Sequence, residues 1–283
     1  MPLAYLNGEY LDQSAAHLPL TDRGLLFGDS IYEVIPVYHG QPFQAGAHLA
    51  RLQQGLQAIH IPSPLSQDSW LQVITTLSAD HPAPAQAIYL QVTRGAYPGR
   101  AHQLPEPTRP NVFAFSKIFA PDQQIQQQGL QAVTQPDVRW HRCDLKTTNL
   151  LPNVLALATA REQGADDAIL VRDGIAREGT SSNLIALLGG VLTTSPDSPE
   201  LLPGVTRNLV LRLAAAVGIP CARRDIRVDE LAQADEIWLT SSTREIAPVT
   251  RLNQQPVSNG VPGPVWQRVN GLYQAAKTQP DAA

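Results

Sequence analysis

Lysine is scarce in this sequence. The 283 residues include eighteen arginines and three lysines, Lys117, Lys146 and Lys277, so a retained amine asks for a chemical reason. Cysteine is nearly absent too. Cys143 and Cys221 are far apart with no CxxC or Cys/His ligand spacing, which argues against a zinc site or any other metal centre and makes free thiols the default. No apolar run approaches the ~20 residues needed to span a bilayer. The opening MPLAYLNGEYLDQ has no basic region followed by an apolar core, so a cytoplasmic protein is expected. A basic excess is also missing. The net charge of −4 and pI near 6 give no electrostatic case for nucleic acid or an anionic membrane surface, and small molecules are the expected partners. Neither GxGxxG nor GxxxxGK[ST] occurs, and no repeat of fixed period is visible.

Hydrophobic residues at 43% and charged residues at 16% are globular composition, and the length favours two domains. The first part mixes hairpins with helices. Asn7-Gly8 and His39-Gly40 lie between apolar stretches and tolerate the positive φ of two-residue turns. HLARLQQGLQAIHI places Leu49, Leu52, Leu56 and Ile59 at helical spacing, SQDSWLQVITTL reads as a second helix, and QAIYLQVTRG and NVFAFSKIF read as strands. APDQQIQQQGLQ is polar and opened by a proline, which sets a linker at 119–129 between an N-terminal domain, 1–118, and a C-terminal domain, 130–283. In the latter, LPNVLALATAREQGA is a helix with Gly164 past its end. AILVRDGIAREGTSSNLIALLGGVLTT reads as three strands turned at Asp-Gly and Gly-Gly, and a last helix starts near Pro264. Without regular β-α alternation, the expected class is α+β.

Lys146 follows the Arg-containing turn RWHRCD and precedes the helix at Leu151, a junction where functional side chains are displayed. Lysine is ordinarily just a solvated cation. Unlike arginine, however, it can be made neutral, and a neutral amine can bond to an aldehyde; Arg139 and Arg142 are candidates to depress its pKa. LLPGVTRNLVLRL opens a helix whose free N–H groups, with Thr206 beside them, suit a phosphate, the bland alternative being a plain cap. Glu178, in a strand before Thr180, Ser181 and Ser182, could hold a ring nitrogen protonated or could be an exposed strand residue. TSSTREI is a loop or a set of phosphate donors. Tyr32 on a strand, Arg51 just inside a helix, and Arg100 with His102 at alternate loop positions complete the set, the last two suited to a carboxylate.

In this order and spacing, DRGLLFGDSIYEV, HLARL, CDLKTTNLL, EGTSSNL, LPGVTR and TSSTREIAPV resemble the motifs of the fold-type IV pyridoxal-phosphate transaminases. The resemblance runs essentially end to end, and TRG with RAHQ is similar to the carboxylate loop of the D-amino-acid transaminases. It implies a two-domain fold with a small N-terminal α/β domain and a larger C-terminal β-rich pseudo-barrel that carries the lysine. It also implies pyridoxal 5′-phosphate bound by Lys146 as an imine, Glu178 on the pyridine nitrogen, and Leu202 on a ring face. Arg51 would bind the phosphate with Val205, Thr206, Ser241 and Ser242, and Ser182 belongs to the same cofactor-binding set. Tyr32, with Arg100 and His102 from a neighbouring subunit, would hold the α-carboxylate, making the active unit a homodimer.

What the resemblance implies chemically is ping-pong exchange of an amino group between D-amino acids, D-alanine and D-glutamate, and 2-oxo acids, pyruvate and 2-oxoglutarate. Its nearest rivals are an aminodeoxychorismate lyase and a branched-chain L-amino-acid transaminase of the same fold, and, from another class, a non-catalytic binding protein that keeps the fold. Two departures from the family pattern stand out. Gly99 lengthens the turn before Arg100, and Arg244 replaces a small polar residue, a second cation that could change the choice of acidic side chains. The reactivity of Cys143, three residues before the lysine, is left open.

Overall fold

The tight turns that build the sheets rest on residue pairs able to hold positive φ. Asn7-Gly8 (50° and 102°), His39-Gly40 (50° and 78°), Asp173-Gly174 (52° and 75°) and Gly189-Gly190 (56° and 81°) all adopt it in the computed structural model, as two-residue hairpins demand. The structure describes residues 2–120 and 122–278. They form two compact units, residues 2–120 with Leu145–Asn149, and residues 122–144 with 150–278.

The first unit contains β1 (Leu3–Leu6), β2 (Glu9–Asp12), α1 (Arg23–Phe27), β3 (Ser30–Tyr38), β4 (Gln41–Pro42), α2 (Ala45–Ala58), α3 (Gln67–Asp80), β5 (Ala85–Thr93) and β6 (Asn111–Ile118). Its six strands form an antiparallel sheet of order β2-β1-β6-β5-β3-β4. Leu49, Leu52 and Leu56 of α2 and Trp70, Ile74 and Leu77 of α3 share one core with Ile35, Ile88 and Leu90 of the sheet. That is the helical spacing read from the sequence, each buried side chain contributing ~1.5–3 kcal/mol.

Chain order put Lys146 in the C-terminal domain, but the fold groups its segment with the first unit. Leu145 joins that unit's core, the Tyr32 N–H donates to the Lys146 carbonyl at 3.0 Å, and the hydroxyls of Ser30 and Thr148 are 3.0 Å apart. The stretch expected as a linker also contains a helix, α4 (Gln123–Gln128). Asp122 caps it, accepting from the N–H groups of Gln124 and Ile125 at 2.9 and 3.2 Å, and glutamine is a good helix former once the first turn is capped.

The second unit continues with β7 (Leu130–Pro136), α5 (Leu151–Glu162), β8 (Asp167–Arg172), β9 (Ile175–Gly179), β10 (Asn183–Leu188), β11 (Val191–Thr194), α6 (Val205–Ala216), β12 (Cys221–Arg223), β13 (Ile226–Arg227), α7 (Val228–Leu231), β14 (Glu236–Ser241), β15 (Glu245–Leu252), β16 (Gln255–Pro256) and α8 (Pro264–Ala276). Strands β10-β14-β15-β7-β8-β9 follow one another in the sheet, and the pairing of Asn183 with Glu178 joins β10 back to β9. The ring closes into a barrel, which removes free strand edges. Ile169, Leu184, Ile237, Leu239 and Val249 are in its core. The α+β class and the pseudo-barrel are therefore as the resemblance implied.

Among the described residues no helix is long and apolar enough to cross a membrane, and no group of three His, Cys, Asp or Glu side chains is placed to hold a metal ion.

Candidate active site

In the first unit, the Lys146 amine stands 4.3 Å from the centroid of the Tyr32 ring. Among the described residues no carboxylate pairs with it, whereas Lys277 pairs with Glu245 at 2.6 Å. Tyr32 is itself stacked on Tyr89, with ring centroids 5.4 Å apart, and Tyr89 stacks in turn on Phe113 and Phe115. A rigid aromatic ladder thus fixes the surface beneath the amine. Gly28 ends α1 at φ +64°, and a Cβ there would stand 2.1 Å from Asn149 Oδ1. The turn therefore packs on the lysine segment only as glycine.

Below this surface Glu33 is fully buried and accepts from His48 Nδ1 at 2.8 Å and from Arg51 Nε and Nη2 at 2.6 and 2.8 Å. Burial alone would raise the Glu33 pKa, but Arg51 and His48 overcome it and hold the carboxylate well below its usual range. For His48 burial dominates and lowers the pKa, which keeps the ring neutral with Nδ1–H donating. Both groups bind fewer protons folded than unfolded, so both contribute stability that is lost on acidification. His48 acts below its unfolded value near 6.5 and Glu33 below about 4.5. Thermal melts should show Tm falling from pH 7 to pH 5. His48→Gln, which keeps a donor to Glu33, should flatten that limb and spare the drop below pH 4.5; an unchanged slope would contradict the assignment.

Arg100 and His102 meet on one ring. The Arg100 guanidinium lies 4.9 Å from the Phe27 centroid, and His102 packs edge-on against the same ring at 5.4 Å. Both residues are exposed, and among the described residues no carboxylate pairs with Arg100. The pair read as pointing the same way does share one platform, with Gly99 (φ +74°) at the bend before it.

In the second unit Glu178, 5% exposed, ends the strand that closes the barrel. It forms an ion pair with Arg139 and accepts from Asn183 Nδ2 at 2.9 Å and the Leu202 N–H at 3.2 Å. Burial pushes its pKa upward while Arg139 and the Leu202 N–H pull it back. Three donors and no acceptor around it are the setting of an ionised carboxylate of raised basicity. Asn183 also donates to the Leu202 carbonyl at 2.8 Å, so Glu178 and the Leu202 backbone are positioned together.

Nearby, the hydroxyls of Ser182 and Thr240 are buried without a hydrogen-bond partner, an arrangement that disfavours folding unless something polar joins them. Gly179 makes room for Ser182, since a Cβ there would stand 2.3 Å from its Oγ. Helix α6 starts after Gly204 with no side-chain cap. The N–H groups at Val205 and Thr206 are thus available to an anion. The Ser241 Oγ accepts from the Arg244 N–H at 3.2 Å, which leaves its proton to donate outward.

Comparison with known proteins settles the class. The family model described as amino-transferase class IV matches residues 30–252. The D-alanine aminotransferase of Bacillus licheniformis is 38% identical over 268 residues, 95% of this chain and 94% of that protein. This chain belongs to the class IV aminotransferases. Among solved structures, the branched-chain amino acid aminotransferase of Escherichia coli superposes with a TM-score of 0.91 over 99% of this chain and 97% of that one, at 24% identity, a likeness of fold. A thermophile's branched-chain enzyme, complexed with N-(5′-phosphopyridoxyl)-L-glutamate, gives 0.87 at 25% identity over 98% and 94% of the two chains.

Within this aminotransferase several side chains act otherwise than the sequence suggested. Arg139 and Arg142 were candidates to depress the lysine pKa. Arg139 is instead bound to Glu178 and Asp137, and Arg142 to Asp144 at 3.0 Å, and a guanidinium matched by a carboxylate exerts little further field. Arg244 was a candidate cation for acidic substrates. Its guanidinium is ion-paired with the fully buried Asp167, whose other oxygen accepts from Thr180 Oγ1 at 2.6 Å. Arg244 thus ties the turn after β14 to the one before β10. The Cys143 thiol is pushed up to about 11 by burial and donates to the Trp140 carbonyl, so it is unreactive at neutral pH. Asn183, Thr240, Glu33 and His48 were not singled out from the sequence. Asn183 and Glu33 were in quoted motifs, but their partners are not sequence neighbours.

Proposed function

We propose that the chain is a pyridoxal-phosphate-dependent transaminase of D-amino acids, exchanging the amino group between D-alanine or D-glutamate and pyruvate or 2-oxoglutarate. The observation that carries the reading is Lys146, an amine held over an aromatic face with no carboxylate partner among the described residues. Support for the cofactor comes from the orphaned hydroxyls of Ser182 and Thr240, the uncapped start of α6 and the buried acceptor Glu178. Together they suit a phosphate and a ring nitrogen. The branched-chain neighbour solved with a phosphopyridoxyl compound adds to that support.

When bound, the cofactor supplies an electron sink for the carbanion formed at the substrate Cα. Lys146 would hold it covalently through its amine and, once released, carry the proton away from Cα. Glu178 would keep the ring nitrogen protonated, with Arg139 and Asn183 holding its carboxylate in place. Val205, Thr206, Ser241, Ser242 and Ser182 would bind on the phosphate side with Arg51, two of whose N–H groups already go to Glu33. Leu202 would cover a ring face.

Tyr32 would bind the α-carboxylate with Arg100 and His102 of a second copy, which makes the active unit a homodimer. The unpaired, exposed Arg100 supports this, as does the apolar surface of α5, where Leu151, Val154 and Leu155 are exposed. With the carboxylate held there, the Cα proton of a D-amino acid faces Lys146, whereas an L-isomer would exchange its hydrogen and side chain. The D-alanine aminotransferases among its relatives favour the same hand. An amino-donor panel with pyruvate as acceptor tests this. D-Alanine and D-glutamate should be turned over at least about 10²-fold faster than L-leucine or L-valine, a gap of ~2.7 kcal/mol. Turnover of the L-isomers without D-alanine would overturn it.

A further inference from the structure

Arg100 and His102 lie in an exposed loop with little regular structure, yet a carboxylate clamp must be held in place before substrate arrives. Two residues of α1 do the holding. Phe27 presents its ring to the Arg100 guanidinium at 4.9 Å, to the Arg23 guanidinium at 4.7 Å and to the His102 edge at 5.4 Å. Arg23, 8% exposed, donates from Nη1 to the carbonyls of Ala101 and Gln103, at 2.6 and 3.4 Å, and so grips the loop on both sides of His102. Its Nε is bound to Asp29 at 2.8 Å, and Asp29 is held in turn by Arg94 at 2.7 and 2.9 Å. Asp22, which caps α1, is fully buried and accepts from Gly24, Thr93 and Asn111, each at 2.7 Å. The loop is thereby pinned to a rigid, buried polar network.

We infer that Phe27 and Arg23 are positioning residues that set substrate affinity, by fixing Arg100 and His102 in the geometry that receives the α-carboxylate. The inference rests on the proposed role of those two residues as the clamp. Phe27→Leu keeps apolar bulk but removes the π face and should raise KM for the amino donor about 5- to 30-fold, with kcat changed less than about 3-fold and the cofactor absorbance intact. Phe27→Tyr keeps the ring and should restore KM to within about 2-fold of the parent. Calorimetric binding of D-lactate, which has the carboxylate but no amine, should weaken by the same factor as KM in Phe27→Leu.

Arg23→Lys keeps the charge, loses the two-carbonyl grip and should raise KM likewise, which preserves the test if Phe27→Leu does not fold. In the Phe27→Leu/Arg100→Ala double variant, KM should not exceed that of Arg100→Ala, because the ring acts through that side chain. Unchanged KM, multiplicative effects, equal losses in Leu and Tyr variants, or a fall in kcat matching the rise in KM would each overturn the inference. If Arg100→Ala alone leaves KM unchanged, it is the clamp itself, and the inference with it, that fails.

Discussion

Lys146→Arg should lower turnover by at least about 10³-fold while leaving the fold intact. A guanidinium cannot be deprotonated in a protein, so it neither bonds to an aldehyde nor takes a proton from Cα; proton transfer by a positioned group is worth about 10²- to 10⁴-fold by itself. The local structure should tolerate the change. The segment is held by the Tyr32 N–H on the Lys146 carbonyl and by the Ser30–Thr148 contact, and neither uses the amine. A guanidinium also stacks well on an aromatic face such as Tyr32. Steady-state rates and Tm decide it: activity within a few-fold of the parent would remove Lys146 from the chemistry.

The second large effect is expected at Glu178. Glu178→Gln keeps the shape but removes the charge that would face a protonated ring nitrogen and that answers Arg139. Hydrogen bonds to charged groups contribute ~1.5–3 kcal/mol, so kcat should fall about 10- to 150-fold. Because Asp137 stays paired with Arg139 at 2.8 Å, the guanidinium is not left without a counter-ion and the protein should still fold. Cofactor capture through Lys146 should persist, so the loss belongs in kcat rather than in cofactor content. A kcat within about 2-fold of the parent would show that the carboxylate does not support the ring.

How much of this was legible depended on how local the cause was. Asn7-Gly8, Asp173-Gly174 and Gly189-Gly190 declare their hairpins through residues that accept positive φ, and α2 declares its buried face through Leu49, Leu52 and Leu56. The helix at Gln123–Gln128 was hidden because composition resembled a linker and the deciding feature, the Asp122 cap, is a single side chain. Lys146 was legible as a residue but not as a member of the first unit, since that depends on Tyr32, more than a hundred positions earlier. Likewise Arg139 reaches Glu178 across 39 positions, and Arg244 reaches Asp167 across 77. Charge matching at such separations follows from barrel closure, which no local pattern encodes.

Everything proposed for the chemistry requires the side chain at 146 to form the covalent link to an aldehyde cofactor. The direct measurement is borohydride reduction of the protein loaded with pyridoxal 5′-phosphate, followed by proteolysis and peptide mapping. One phosphopyridoxyl group per chain on the peptide carrying Lys146 is the predicted result; label on Lys117 or Lys277 instead, or none at all, would contradict it.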